Sequence, residues 1–125
     1  MNIVPDADEL DDLLALATDF ALKAGDVHRR RATGDVASKS TATDPVTQVD
    51  REAEALIAGA IREARPNDAI LGEESTLVEG TSGFQWVIDP LDGTVNYLYD
   101  FPSYGVSIGI ETDGEPVVGV VLDTA

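Results

Sequence analysis

Acidic side chains carry the first chemical signal in this 125-residue sequence. Asp89 and Asp92 flank a proline in Asp89-Pro90-Leu91-Asp92-Gly93-Thr94, directly after the apolar run Phe84 to Ile88. Glu73 and Glu74 follow a second apolar run, Ala69-Ile70-Leu71. Asp50 stands where the spacing of apolar residues predicts the head of a helix. In layered α/β folds, ligand sites gather where strands end and their loops converge. Within the hexapeptide, Pro90 fixes one backbone torsion near −65°, so the Leu91 carbonyl can point the same way as the two acids. Gly93 permits close approach of a ligand, and free amides at Gly93 and Thr94 can open a helix and bind a phosphate oxygen. One short segment could supply hard oxygen ligands for cations and donors for the anion they attract. The same residue types also make ordinary turns, so spacing alone leaves both readings open. The conjunction favours the first, because clustered carboxylates raise one another's pKa unless a cation intervenes.

The composition narrows which cation this could be. Cysteine is absent and His28 is the only histidine, so neither a thiolate nor a histidine-rich zinc site can be built from this chain. Oxygen ligands favour magnesium, manganese or calcium. Twenty-four acidic against eight basic residues give a formal charge of −16, which disfavours nucleic acid and anionic membranes as partners. A phosphorylated substrate would then need cations at the site. No apolar stretch approaches the roughly 18 residues of a membrane span, and the acidic start, Met1 to Asp12, is unlike a signal peptide. Cytoplasmic residence is the expectation.

The elements that must position these acids are legible as periods. Leu10, Leu13, Leu14, Ala17, Phe20, Ala21, Ala24 and Val27 predict an amphipathic helix over Asp8 to Arg31. Acidic residues open that helix and His28 to Arg31 close it, so both ends complement the helix dipole. Ala32 to Val46 reads as loop. Thr47 is placed to cap a second helix, with Val49, Ala53, Leu56, Ile57, Ala60, Ile61 and Ala64 on its apolar face and Pro66 as its stop. Strands are expected at Ala69–Leu71, Phe84–Ile88, Tyr104–Thr112 and Glu115–Leu122, with Leu77 to Gly83 a surface loop. Asp113-Gly114 suits a two-residue hairpin turn. Two helices followed by strands make a single α+β unit over residues 1–125.

At this point the sequence resembles the inositol monophosphatase family. The run Trp86 to Tyr97 looks like its signature, continued by Asp100 to Tyr104 and Ser107-Ile108-Gly109. Gly72-Glu73-Glu74-Ser75 resembles its metal-binding segment; Lys39-Ser40, Asp44, Val46-Thr47 and Asp50 resemble its N-terminal motif. The resemblance implies a layered α-β-α-β-α sandwich of the sugar phosphatase type, with this chain giving two N-terminal helices and the first antiparallel sheet. It implies a phosphomonoesterase holding two or three Mg2+ ions, with Mn2+ as a substitute, and acting on inositol monophosphate or a related small sugar phosphate. Glu73, Asp89 and the Leu91 carbonyl would bind the first ion, and Asp89 and Asp92 the second; Glu73 would also reach a third ion through water. Asp50 and Thr94 would orient and deprotonate a metal-activated water, with Glu73 also in the catalytic set. Asp92 and the Gly93 and Thr94 amides would hold the substrate, and Lys39 would be structural. Family members run to about twice this length, within the 200–250 residues of a large single domain. Their second half supplies a further metal-binding aspartate in a Trp-Asp…Ala-Gly motif that is absent here. Alternatives are therefore a non-catalytic metal-binding fragment, or a relative acting on fructose 1,6-bisphosphate, histidinol phosphate or 3′-phosphoadenosine 5′-phosphate. Homodimerisation and lithium sensitivity are further implications of the resemblance.

Overall fold

A computed structural model describes residues 5–30, 45–74 and 76–125. Lys39, Ser40, Asp44 and Ser75 lie outside the described residues. Helix α1 spans Ala7–Arg30 and helix α2 spans Pro45–Ala64. Five strands follow: β1 Ala69–Gly72, β2 Leu77–Val78, β3 Phe84–Asp92, β4 Gly105–Thr112 and β5 Glu115–Asp123. A short helix α3, Thr94–Leu98, lies between β3 and β4.

The predicted periods are the observed elements. Asp6 caps α1 by accepting the Glu9 amide at 2.8 Å, and Leu13, Ala17, Phe20, Ala21, Ala24 and Val27 form its buried face. Leu14, expected on that face, lies at its margin and is exposed. Helix α2 begins two residues before Thr47, at Pro45, which fits the first helical position because its missing N–H has no partner to lose there. Asp50 therefore sits in the second turn of α2 rather than at its head, and it is buried.

The sheet has the order β2-β1-β3-β4-β5. It departs from the expected antiparallel sheet at one pair, because β1 runs parallel to β3, with Gly72 opposite Ile88. The span predicted as loop, Leu77 to Gly83, contains the two-residue strand β2, which pairs antiparallel with β1. Asp113 and Gly114 both have positive φ, 54° and 77°, as a hairpin turn of the primed type requires.

Helices α1 and α2 cover one face of the sheet. Trp86, Ile88, Ile108 and Ile110 meet Phe20, Ile57 and Ile61 in this layer, each burial contributing about 1.5–3 kcal/mol. Trp86 stacks at a tilt on Phe20, with centroids 5.8 Å apart. Its indole N–H donates to Asp68, which also accepts from Arg65 and Ser82. That network fixes the start of β3. The opposite face exposes Leu71, Val87 and Val121, and the candidate site opens there.

Candidate metal and phosphate site

Asp89 and Asp92 lie three residues apart, and in an unbroken strand that spacing points side chains to opposite faces. The structure resolves the conflict with a β-bulge. Asp89 pairs with Ser107 and Asp92 with Gly105, so β3 carries one more residue than β4 over this stretch. The extra residue restores parity and turns both carboxylates to the open face. Pro90 lies inside the bulge, where a strand tolerates its missing N–H.

The parallel pairing of β1 and β3 brings Glu73 beside Asp89. Both line a depression of about 400 Å³ with Leu71, Val87, Ser107 and Gly109. Burial pushes the Asp89 carboxyl above its ordinary range and the charge of Asp92 adds to this, against the Leu91 amide and Glu73, which favour the charged form. Glu73 is raised as well, by burial of its carboxyl first, then by Asp89, Glu74 and Glu54. Both carboxyls are thus held above their ordinary range side by side.

Glu54 presents this loop. Its carboxylate is buried on α2 and accepts the amides of Glu74 at 2.9 Å and Thr76 at 3.0 Å. Gly72 lies so close to it that a side chain there would strike the carboxylate. The sequence offers only a weak signal for Glu54, an acid between the buried Ala53 and Ile57 on the apolar face of a helix.

After Asp92 the chain turns through Gly93, whose φ of 88° favours glycine. A Cβ there would also collide with the Ser103 carbonyl. Gly93 is the cap of α3, and the Thr94 hydroxyl donates to the Leu91 carbonyl at 3.1 Å. Asp92 and Gly93 line a second depression, shared with Asn96, Ser103 and Asp123. Asp50 is held on the buried side of α2, the helix that packs on β3 and reaches α3.

The expected ligands are thus brought together in part. Glu73 and Asp89 form a contacting pair, and Asp92 stands next to Asp89. Among the described residues, no three Asp, Glu, His or Cys side chains stand ready to close on one ion. The donor set nevertheless fits a hard cation: it is all oxygen, and Asp89 Oδ1 is buried with no hydrogen-bond partner among the described residues.

His28 corrects the sequence reading. It is fully buried rather than a helix-end charge, and burial lowers its pKa. Its Nε2–H donates to the Pro90 carbonyl at 2.8 Å, because a carbonyl can only accept, and the Thr124 hydroxyl lies 2.7 Å from Nδ1. Arg29 and Arg30 remain outside and pair with Asp26 and Glu52.

The model of the inositol monophosphatase family matches residues 9–125. The chain belongs to the inositol monophosphatase family. This is a family of metal-dependent phosphatases. The chain is 44% identical over 97 residues to an inositol-1-monophosphatase of Mycobacterium bovis, an overlap of 74% of this chain and 33% of that protein. It is 43% identical over 115 residues to the Nus factor SuhB of Escherichia coli, covering 89% and 43% of the two chains. The inositol monophosphatase structure from Anabaena (Nostoc) superposes with a TM-score of 0.78 at 37% identity, covering 92% of this chain and 41% of that one. The chain spans a third to less than half of these relatives. As an inositol monophosphatase family chain, it carries the N-terminal helices and the mixed sheet of that fold.

Proposed function

We propose that this chain forms the cation-gathering part of a magnesium-dependent phosphomonoesterase acting on inositol monophosphate or a related small sugar phosphate. One observation carries the reading: the bulge at Pro90 aims Asp89 and Asp92 to one face, beside Glu73, and leaves a buried Asp89 oxygen without a partner. Family membership and the name of the mycobacterial relative support the substrate class.

In this reading Glu73, Asp89 and the Leu91 carbonyl hold one Mg2+ ion, and Asp89 with Asp92 hold a second. Bound magnesium supplies a lowered pKa for the attacking water and neutralises charge on the phosphate. Asp50 and Thr94 would orient and deprotonate that water. The Gly93 and Thr94 amides, at the start of α3, donate to a phosphate oxygen. Cation binding would compete with protons at the raised carboxyls of Glu73 and Asp89, and so would release them. Lys39 is assigned no chemical step. The −16 charge disfavours a polyanionic partner. No described helix is long and apolar enough to cross a membrane, and the reading places the chain in the cytoplasm.

Titration calorimetry with Mg2+ tests the assignment. Asp89→Asn should weaken binding at least about tenfold, by analogy with the loss typical of disturbed metal shells. Equal affinity in the two proteins would sink it. Magnesium-dependent phosphate release from myo-inositol 1-phosphate, abolished in the same variant, would extend the reading from binding to catalysis.

A further inference from the structure

The bulge that aims the carboxylates is itself held by a residue outside them. His28 is fully buried and holds the segment 90–97 at two points. Its side chain donates to the Pro90 carbonyl, and its main-chain carbonyl accepts the Tyr97 hydroxyl at 3.0 Å, three residues beyond Thr94. Its ring meets Tyr97 and Tyr104 edge-on, with centroids 6.0 and 6.3 Å away, and those two tyrosines pack on each other at 4.8 Å. The Thr124 hydroxyl, just past β5, lies on the other ring nitrogen and fixes the ring's orientation.

The bulge takes Pro90 out of the regular register with β4, so its carbonyl needs a partner elsewhere. The Pro90 carbonyl and the Leu91 N–H belong to one peptide plane, and the bond is trans, so the two groups point in opposite directions. Pinning the carbonyl to His28 on the helix side turns the Leu91 N–H toward the open side. There it faces the Asp89 carboxylate and favours its charged form.

We propose that His28 is the positioning residue of this site: its hydrogen bond to the Pro90 carbonyl sets the peptide plane that orients Asp89 for a divalent cation. This rests on the metal-site reading above. His28 touches no substrate or ion; it acts through one peptide group.

Magnesium titration of the 125-residue chain separates the possibilities. His28→Phe keeps the ring's bulk and loses both hydrogen bonds, and it should weaken Mg2+ binding about tenfold. His28→Gln restores an N–H for the Pro90 carbonyl and should recover most of the affinity. Phe20→Leu is the control, a core change that lowers the melting temperature and leaves Mg2+ affinity unchanged. A folded His28→Phe protein with wild-type affinity overturns the proposal, as does a His28→Gln protein as weak as His28→Phe. Should His28→Phe not fold, the wild-type chain decides by NMR. The His28 Nε2 nitrogen resonance should move on saturation with Mg2+ and stay still in Asp89→Asn, and an unmoved wild-type resonance overturns the proposal. A wild-type chain that binds no Mg2+ overturns the metal-site reading and this inference together. Binding that Asp89→Asn weakens and His28→Phe does not overturns the inference alone.

Discussion

Asp89 and Glu73 meet on neighbouring parallel strands, and burial first, with Asp92 acting on Asp89 and Asp89 on Glu73, makes both costlier to ionise. Both carboxyls are raised above their ordinary values, so the folded chain holds their protons at a pH where the unfolded chain has released them. Stability from this source is fully present below the ordinary carboxylate range and is lost as pH rises through the raised folded values. Asp89→Asn cannot ionise and escapes Asp89's share of the loss. The stability difference, wild type minus variant, should therefore decline as pH rises through the carboxylate range and level off above it. Thermal melts of both proteins in the presence of a chelator would check this. A difference that stays constant from acid to neutral pH would mean that Asp89 titrates as an ordinary exposed carboxylate. Adding Mg2+ at neutral pH should raise the melting temperature of the wild type more than that of Asp89→Asn, because in the proposed site the cation would replace the proton as the partner of both acids.

The turn between β1 and β2 depends on α2. Glu54 accepts two amides of that turn from a buried position, and hydrogen bonds to a charged group contribute about 1.5–3 kcal/mol. Glu54→Ala should cost the protein stability of that order and speed hydrogen exchange at the Glu74 and Thr76 amides. Unchanged exchange at those amides would show that β2 pairing alone holds the turn. Elements of this kind were unevenly legible in the sequence. Helices α1 and α2 and the four longer strands follow from their apolar periods, because each buries one face against the other layer. The parallel pairing of β1 with β3 does not, since a short apolar run such as Ala69-Ile70-Leu71 carries no direction. The bulge at Pro90 was also hidden, because register depends on the partner strand, although the proline and the three-residue spacing of two acids both pointed there. Glu54 and His28 were missed for a common reason. A buried polar residue is identified by what it bonds, and the partners, the 72–76 turn and the Pro90 carbonyl, are 18 or more residues away in sequence. His28 was further disguised by standing at the head of an arginine run, where a helix-end charge is the ordinary meaning.

The whole chain combines a −16 charge with a sheet that, among the described residues, carries helices α1 and α2 on one face and exposes Leu71, Val87 and Val121 on the other. Self-repulsion on that scale opposes the compact state. Simple salt should therefore stabilise the fold, because raising ionic strength from 0.1 to 1 M shortens the screening length from about 10 to about 3 Å. Magnesium acts by this general route and, if the site is as proposed, by a specific one. The two separate at matched ionic strength. Specific binding adds RT ln(1 + [L]/Kd), about 1.4 kcal/mol at ten times Kd, which in a domain of this size corresponds to a few degrees in melting temperature. The wild type should melt several degrees higher in MgCl2 than in NaCl of equal ionic strength, and EDTA should remove that increment while leaving the salt effect. In Asp89→Asn the two salts should give nearly the same melting temperature, because screening needs only net charge and the increment needs the site. An increment of equal size in the variant would assign the effect of magnesium to the acidic surface as a whole, since only a diffuse interaction is indifferent to which carboxylate is removed.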